Sequence, residues 1–291
     1  MRADHRGMGD VFIGSEAVGD GALSKYQLRR GYRPMFHDVY LPKSAEPTLN
    51  DRARGAWLWS RRRAVLTGVA ASALHGANWV DAGTRIELIG QSTRPQRGLI
   101  VRNETLGADE ITECHRLPVA TVARTAFDLG RHLPRRSALA RLDALMHATP
   151  FSSEDVSVLI KQHRGARGLC QLRGLLPLID GGAASPKETW LRLLLVDAGL
   201  PAPTTQIPVR DGWRLLGLLD MGWEDYMVGL EYEGDQHRTD RRQFVKDIDR
   251  YADFRDLGWH VIRVVAEHRP DAILSRVHDA LSARGYRPDR R

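Results

Sequence analysis

Apolar and polar positions alternate with different rhythms in successive stretches of the chain. Near the start, Leu23-Ser24-Lys25-Tyr26-Gln27-Leu28-Arg29-Arg30-Gly31 predicts a short helix: Ser24 is a candidate N-cap, Leu28 marks the buried face, and Lys25, Arg29 and Arg30 turn outward. A strand-like run ending Val39-Tyr40-Leu41-Pro42 follows. From Arg52 to Asp180 the pattern is mixed. Ala64 to Gly76 reads as a buried helix closed by glycine, Arg85 to Ile89 alternates like a strand, and Leu99 to Arg102 does so more weakly. Leu139, Leu142, Leu145 and Met146 recur at helical spacing and read as core. The small, turn-forming stretch Gly181 to Pro186 reads as a linker. After it Ser185 and Pro186 predict a helix start, with Leu191, Leu194 and Leu195 on one face as far as Ala198. A leucine-rich strand, Trp213 to Trp223, then turns through Glu224 and Asp225 into a second strand ending Leu230-Glu231-Tyr232-Glu233. A charged helix from Asp240 to Leu257, with Phe244, Ile248 and Tyr251 on its buried side, ends at Gly258, and Trp259 to Val265 is a strand. The predicted order in this last part is helix, strand, strand, helix, strand.

Strand alternation places chemistry. Glu231 and Glu233 emerge on one face of their strand, with Val228, Leu230 and Tyr232 on the other. Folding the hairpin brings Asp220 near Gly229 and Glu231, so the three carboxylates converge. Crowded carboxylates raise one another's pKa unless a cation neutralises them. All-oxygen ligands suit Mg2+ or Mn2+, which polarise a phosphodiester and activate water. Gln236 or His237, just beyond, could position that water or protonate a leaving oxygen. Each reading has a plainer rival: a solvated strand face for the three carboxylates, a turn histidine for His237, and for Glu188 a carboxylate favoured at a helix N-terminus.

Composition narrows the picture. Across 291 residues, 42% are hydrophobic and 27% charged, as in an ordinary globular chain long enough for two or three domains. No apolar stretch is long enough to cross a bilayer and the first residues lack a secretory pattern, so a cytoplasmic location without membrane contact is expected. Cys114 and Cys170 are too few for a disulfide framework and are expected to be reduced and buried. The net charge of +7 is unevenly spread: residues 181–291 hold 17 Lys and Arg against 18 Asp and Glu, leaving 26 against 18 before them. A basic first part that holds nucleic acid and a carboxylate-rich second part that holds a cation fit that division. Arg61, Arg62 and Arg63 form either a solvated run or a phosphate contact. Arg124 and Asp128, four apart, read first as a structural ion pair.

Two resemblances add to this. Val39-Tyr40, Leu74-His75-Gly76 and Leu117 to Leu129, with Ala120 where threonine is commoner, resemble the AbiEi-type antitoxins and regulators. This resemblance implies an N-terminal winged helix binding DNA, whose rival reading from the residues is a small basic helical hairpin, and a cognate toxin as partner. Asp220, Glu231-Tyr232-Glu233-Gly234, His237 and Gly258 to Arg263, in their element order, resemble the Vsr-like branch of PD-(D/E)XK nucleases. That resemblance implies that Asp220 and Glu231 bind metal, that Glu233 stands where lysine is usual, and that Glu188 and His237 complete the catalytic set, with Arg250 matching an arginine of the later helix. The expected fold class is α/β, or α+β multidomain: a winged helix-turn-helix over 1–50, a mixed α/β region over 51–180, and a restriction-endonuclease-like domain over 181–291. Two functions follow: a Mg2+-dependent endodeoxyribonuclease, or an AbiEi-like regulator whose nuclease fold has lost catalysis. No small-molecule cofactor is expected for either.

Overall fold

The computed structural model describes residues 11–91, 96–233 and 241–287, the side chains of 241–247 excepted. The chain has a mixed α/β architecture and separates into two compact units, Met1–Pro177 and Leu178–Arg291.

The first unit opens with β1 (Phe12–Ile13), α1 (Gly14–Gly19), α2 (Lys25–Gly31), β2 (Tyr32–Phe36), β3 (Val39–Pro42) and α3 (Leu49–Trp59). The three strands form an antiparallel sheet in the order β1-β3-β2. A capping box starts α2: Gln27 N–H donates to Ser24 Oγ at 3.2 Å, and Ser24 N–H donates to Gln27 Oε1 at 2.8 Å. Thr48 and Asp51 cap α3 in the same way.

A second sheet, order β6-β5-β4-β8-β7, is built from β4 (Val65–Thr67), β5 (Ile86–Ile89), β6 (Leu99–Arg102), β7 (Ile111–Cys114) and β8 (Leu117–Ala120). The helices α4 (Gly68–Leu74), α5 (Val122–His132), α6 (Arg135–Ala148), α7 (Ser153–Gln162) and α8 (Leu169–Leu175) complete the unit. Val11, Phe36 and Leu41 share one hydrophobic cluster with Leu66, Leu88 and Val119, so both sheets pack on a common core. The expected helix from Ala64 to Gly76 is corrected: Val65–Thr67 is a strand, and the helix starts only at Gly68. Gly68 has φ +63, and a Cβ there would collide with the Glu87 carboxylate, so the strand-to-helix corner requires glycine. Cys170 is exposed and Cys114 half-buried, against the expectation that both are buried.

Arg124 on α5 is the hub of a buried ion network. Its guanidinium meets Asp128 Oδ2 at 3.0 Å, Glu104 Oε2 at 3.2 Å and the Glu110 carboxylate. Arg131 joins Glu104 and Asp128, while His132 and His163 meet Glu104 and Glu110 at 3.0 and 2.7 Å. The Arg124–Asp128 pair anticipated from spacing is part of this larger set. Burial opposes ionisation of Glu104, but the hydrogen bond from His132 and the charges of Arg131 and His132 outweigh it, holding the carboxyl down at about 2.

The second unit runs α9 (Pro186–Asp197), β9 (Thr204–Asp211), β10 (Arg214–Trp223), β11 (Val228–Tyr232), α10 (Arg241–Asp256), β12 (His260–Val264) and α11 (Pro270–Ala283). Its sheet has the order β12-β11-β10-β9, antiparallel except for the parallel β11–β12 pair. The strand β9 and the helix α11 were absent from the sequence-based order. Ile248, expected on the buried side of α10, is 53% exposed, and Phe254 is buried instead.

Two hydrophobic cores lie on opposite sides of this sheet. Leu191, Leu195, Met221, Val228, Leu230, Ile262, Ile273 and Val277 form the one toward α9 and α11; Ile207, Val209, Leu219, Phe254 and Trp259 form the one toward α10. Leu219 and Met221, two residues apart on β10, therefore serve different cores, although a regular strand would put them on one face. The strand changes face at Asp220. Opposite it in β9, Gln206 has φ +52, a left-handed conformation that non-glycine residues rarely adopt, so the irregularity of β10 is matched by one in its partner strand.

Candidate functional site

The face change gathers acidic side chains at one spot. Ser185 caps α9 and Pro186 takes its first position, which seats Glu188 in the first turn with its N–H on Ser185 Oγ at 3.2 Å. The Glu188 side chain is buried. Its Oε2 accepts from Ala184 N–H at 2.9 Å and from Gln206 Nε2 at 3.3 Å. Burial raises its pKa and the nearby charge of Asp220 adds to the rise, partly offset by the bonds from Ala184, Ser185 and Gln206. Asp220 Oδ2 accepts the Tyr232 N–H at 2.7 Å, across the β10–β11 pairing in which Met221 faces Leu230.

Glu231 is only 6% exposed, on the α10 side of the sheet. Its Oε2 accepts from Arg250 Nη2 at 3.1 Å and from the Tyr251 hydroxyl. Its Oε1 is buried without a hydrogen-bond partner. Burial pushes the Glu231 carboxyl up to about 7; Tyr251 and Arg250 restrain that rise, and the charges of Asp220 and Glu233 add to it. Glu233, just past β11, lies 3.4 Å from the Tyr251 hydroxyl oxygen and is paired with Arg263. That hydroxyl has a single proton, committed to Glu231. Parallel pairing sets Arg263 opposite Glu231 in register, and its guanidinium stacks over Tyr251 at 4.8 Å. Burial and the bond to Glu231 keep the Tyr251 phenol protonated.

Of the residues singled out from sequence, Glu188, Asp220, Glu231 and Glu233 thus lie around one another, whereas His237 falls outside the described residues. Sequence reasoning missed Gln206, Tyr251 and Arg263. The donor set suits a divalent cation in kind, being all oxygen with one buried carboxylate oxygen open. Part of its charge is met from within, since Arg250 and Arg263 stand against Glu231 and Glu233, two of the four carboxylates. Among the described residues, Glu104, Asp128 and His132 are the group of three acidic or histidine side chains whose ligand atoms converge within 4.8 Å. No such convergence was read from the sequence of that region, because Glu104 lies on a loop far along the chain from α5. Arg124 and Arg131 occupy this group, which marks it as an ion network rather than a metal centre.

In the first unit, Lys25, Arg29 and Arg30 are exposed on α2. Arg30 Nη1 donates to the hydroxyl of Tyr26 at 3.2 Å, and Tyr26 is itself 68% exposed. Arg61 and Arg62 are engaged within the unit, Arg61 with Asp38 at 3.0 Å and Arg62 with both oxygens of Glu16 at 2.7 and 2.6 Å. Their part of the basic run ties the loop after α3 to α1 and to the β2–β3 turn.

Residues 61–178 match the AbiEi antitoxin C-terminal domain, a match that ends where the second unit begins. Two proteins of Mycobacterium tuberculosis, "Uncharacterized protein Rv2248" of strain ATCC 25618 / H37Rv and "Uncharacterized protein MT2308" of strain CDC 1551 / Oshkosh, are each 30% identical over 248 residues, spanning 84% of this chain and 90% of theirs. The chain belongs to the family of these mycobacterial proteins and carries an AbiEi-type region. No solved structure matches it. Among the described residues no helix is long and apolar enough to cross a membrane.

Proposed function

We propose that this chain is an AbiEi-type antitoxin-like regulator that binds duplex DNA and restrains a cognate toxin protein. The observation that carries the reading is the AbiEi antitoxin match over residues 61–178. It is supported by the segment before it, in which two short helices lead into a β-hairpin and the second helix exposes Lys25, Arg29 and Arg30. That order, with the sheet arranged β1-β3-β2, suits a winged helix-turn-helix: α2 enters the groove and the β2–β3 hairpin acts as the wing. The C-terminal unit takes the role of a PD-(D/E)XK-type fold kept for binding, because Arg250 and Arg263 already pair with Glu231 and Glu233 and the usual lysine position holds Glu233.

The test is anisotropy titration of the DNA upstream of its own coding sequence, in EDTA and over a range of salt. Binding indifferent to metal is expected. Lys25→Ala/Arg29→Ala/Arg30→Ala should lower the log–log salt slope by up to about 3, close to one for each phosphate that is no longer neutralised. Tight binding by the triple variant with an unchanged slope would rule α2 out as the DNA-binding element.

One observation favours a second reading, a Mg2+- or Mn2+-dependent endonuclease using Asp220 and Glu231 with Glu188, Glu233 and His237. The open, buried Glu231 Oε1 on β11 and the left-handed Gln206 on β9, whose side chain holds Glu188, are the kind of cost that functional sites retain. Nicking of supercoiled plasmid with Mg2+ or Mn2+, absent in EDTA and in Asp220→Ala, would establish it.

A further inference from the structure

The strand β11 reaches only Met221–Trp223 of β10, so the outer parts of β9 and β10 run on as a two-stranded ribbon. One ribbon face rests on α10 through Val209, Leu219 and Phe254. On the other face Leu218 pairs with Pro208 and Leu215 with Arg210, all four exposed. The turn consists of Gly212 and Trp213, and Gly212 takes φ +56, as a tight two-residue connection requires. This rigid tip holds Trp213 92% exposed, with Leu215 and Leu218 about half exposed behind it. Such a run of large apolar side chains on one surface marks a contact.

The charges indicate the partner. Residues 181–291 carry 17 Lys and Arg against 18 Asp and Glu, a net of −1, yet Arg210 and Arg214 both flank the ribbon tip against Asp211 alone. A two-stranded ribbon fits the major groove, guanidiniums meet phosphates, and an indole offers apolar contact to base edges and sugars.

We propose that the β9–β10 ribbon is a second contact to duplex DNA, with Trp213 packing against base edges and sugars in the groove and Arg210 and Arg214 anchoring phosphates. The proposal rests on the duplex-binding reading given above but uses a different unit and different residues.

The test titrates the full chain, in EDTA, with a fluorescent 40-base-pair duplex of mixed sequence, chosen to span roughly four helical turns. Trp213→Ala is expected to weaken binding about fivefold or more, through the apolar area it no longer buries. Arg210→Ala/Arg214→Ala should lower the log–log salt slope by about 2. DNA-dependent quenching of intrinsic fluorescence should shrink in Trp213→Phe, while much of the affinity survives. Because these side chains are exposed, unchanged melting curves should accompany the weaker binding. The α2 triple variant is run in parallel. Weakening in that variant alone overturns the ribbon proposal and leaves the α2 reading standing; weakening in the ribbon variants alone does the reverse. Unchanged binding in both sets defeats both. Ribbon variants that change sedimentation but not DNA affinity would make this surface a protein contact and likewise overturn the proposal.

Discussion

Glu231→Gln should change the pH dependence of stability in a defined direction. The folded-state pKa of Glu231 is about 7, above its ordinary value of 4.5. Between those values the folded chain holds a proton that the unfolded chain releases, so stability must fall as pH rises through the window. The gap corresponds to about 3 kcal/mol. Glutamine fills the same space, stays neutral at every pH, and can still accept from Arg250 and Tyr251. At pH 5 the variant and the wild type should therefore differ little. By pH 8.5 the variant should be more stable by a sizeable part of those 3 kcal/mol. Urea titrations in metal-free buffer, followed through the transition of the C-terminal unit, give the difference at each pH. Only the difference matters, because groups remote from this site titrate equally in both proteins. A difference that stays constant from pH 5 to 8.5 would refute the assignment of a costly buried carboxylate to this position.

Other perturbations test other parts of the fold. Arg124→Met leaves Glu104, Glu110 and Asp128 short of their shared cation, and should cost the first unit about 3 to 5 kcal/mol in denaturant unfolding. The low pKa of Glu104 has the opposite sign from that of Glu231: its contribution is fully present above about pH 4.5 and is lost as pH falls toward 2. Glu104→Gln should thus flatten the acid limb of the unfolding curve between those values, and an unchanged limb would count against the network. Gly68→Ala forces a side chain into φ +63 and against Glu87, so a loss of roughly 1 to 2 kcal/mol or more is expected, read as a lowered Tm of the first unit.

Local signals were the legible part of the sequence. Ser24 before α2, Ser185-Pro186 before α9 and Gly258 after α10 acted through caps and chain reversal, which need only neighbouring residues. The hairpin that brings Asp220 to Glu231 was legible for the same reason. β9 was not, because Pro208 interrupts its pattern; proline is tolerated there since β9 is the sheet edge. The run from Ala64 to Leu74 looked helical throughout because it is rich in alanine, yet pairing of Val65–Thr67 with β5 and β8 overrode that preference. Tyr251 and Arg263 became site residues through tertiary register, which no local pattern encodes. Gln206 gave no signal at all, since its role depends on a backbone conformation rather than on its spacing.

The face change of β10 at Asp220 also divides mechanical responsibility. On β10 one core holds Leu219 and the other holds Met221 and Trp223, and Asp220 lies at the point where one grip passes to the other. Slackening on either side, under α10 or beneath α9 and α11, would be transmitted to the site's carboxylates as a rotation of β10 about that pivot. The site thereby acts as the fulcrum of its own sheet, sensitive to packing on both sides while directly touching only part of either.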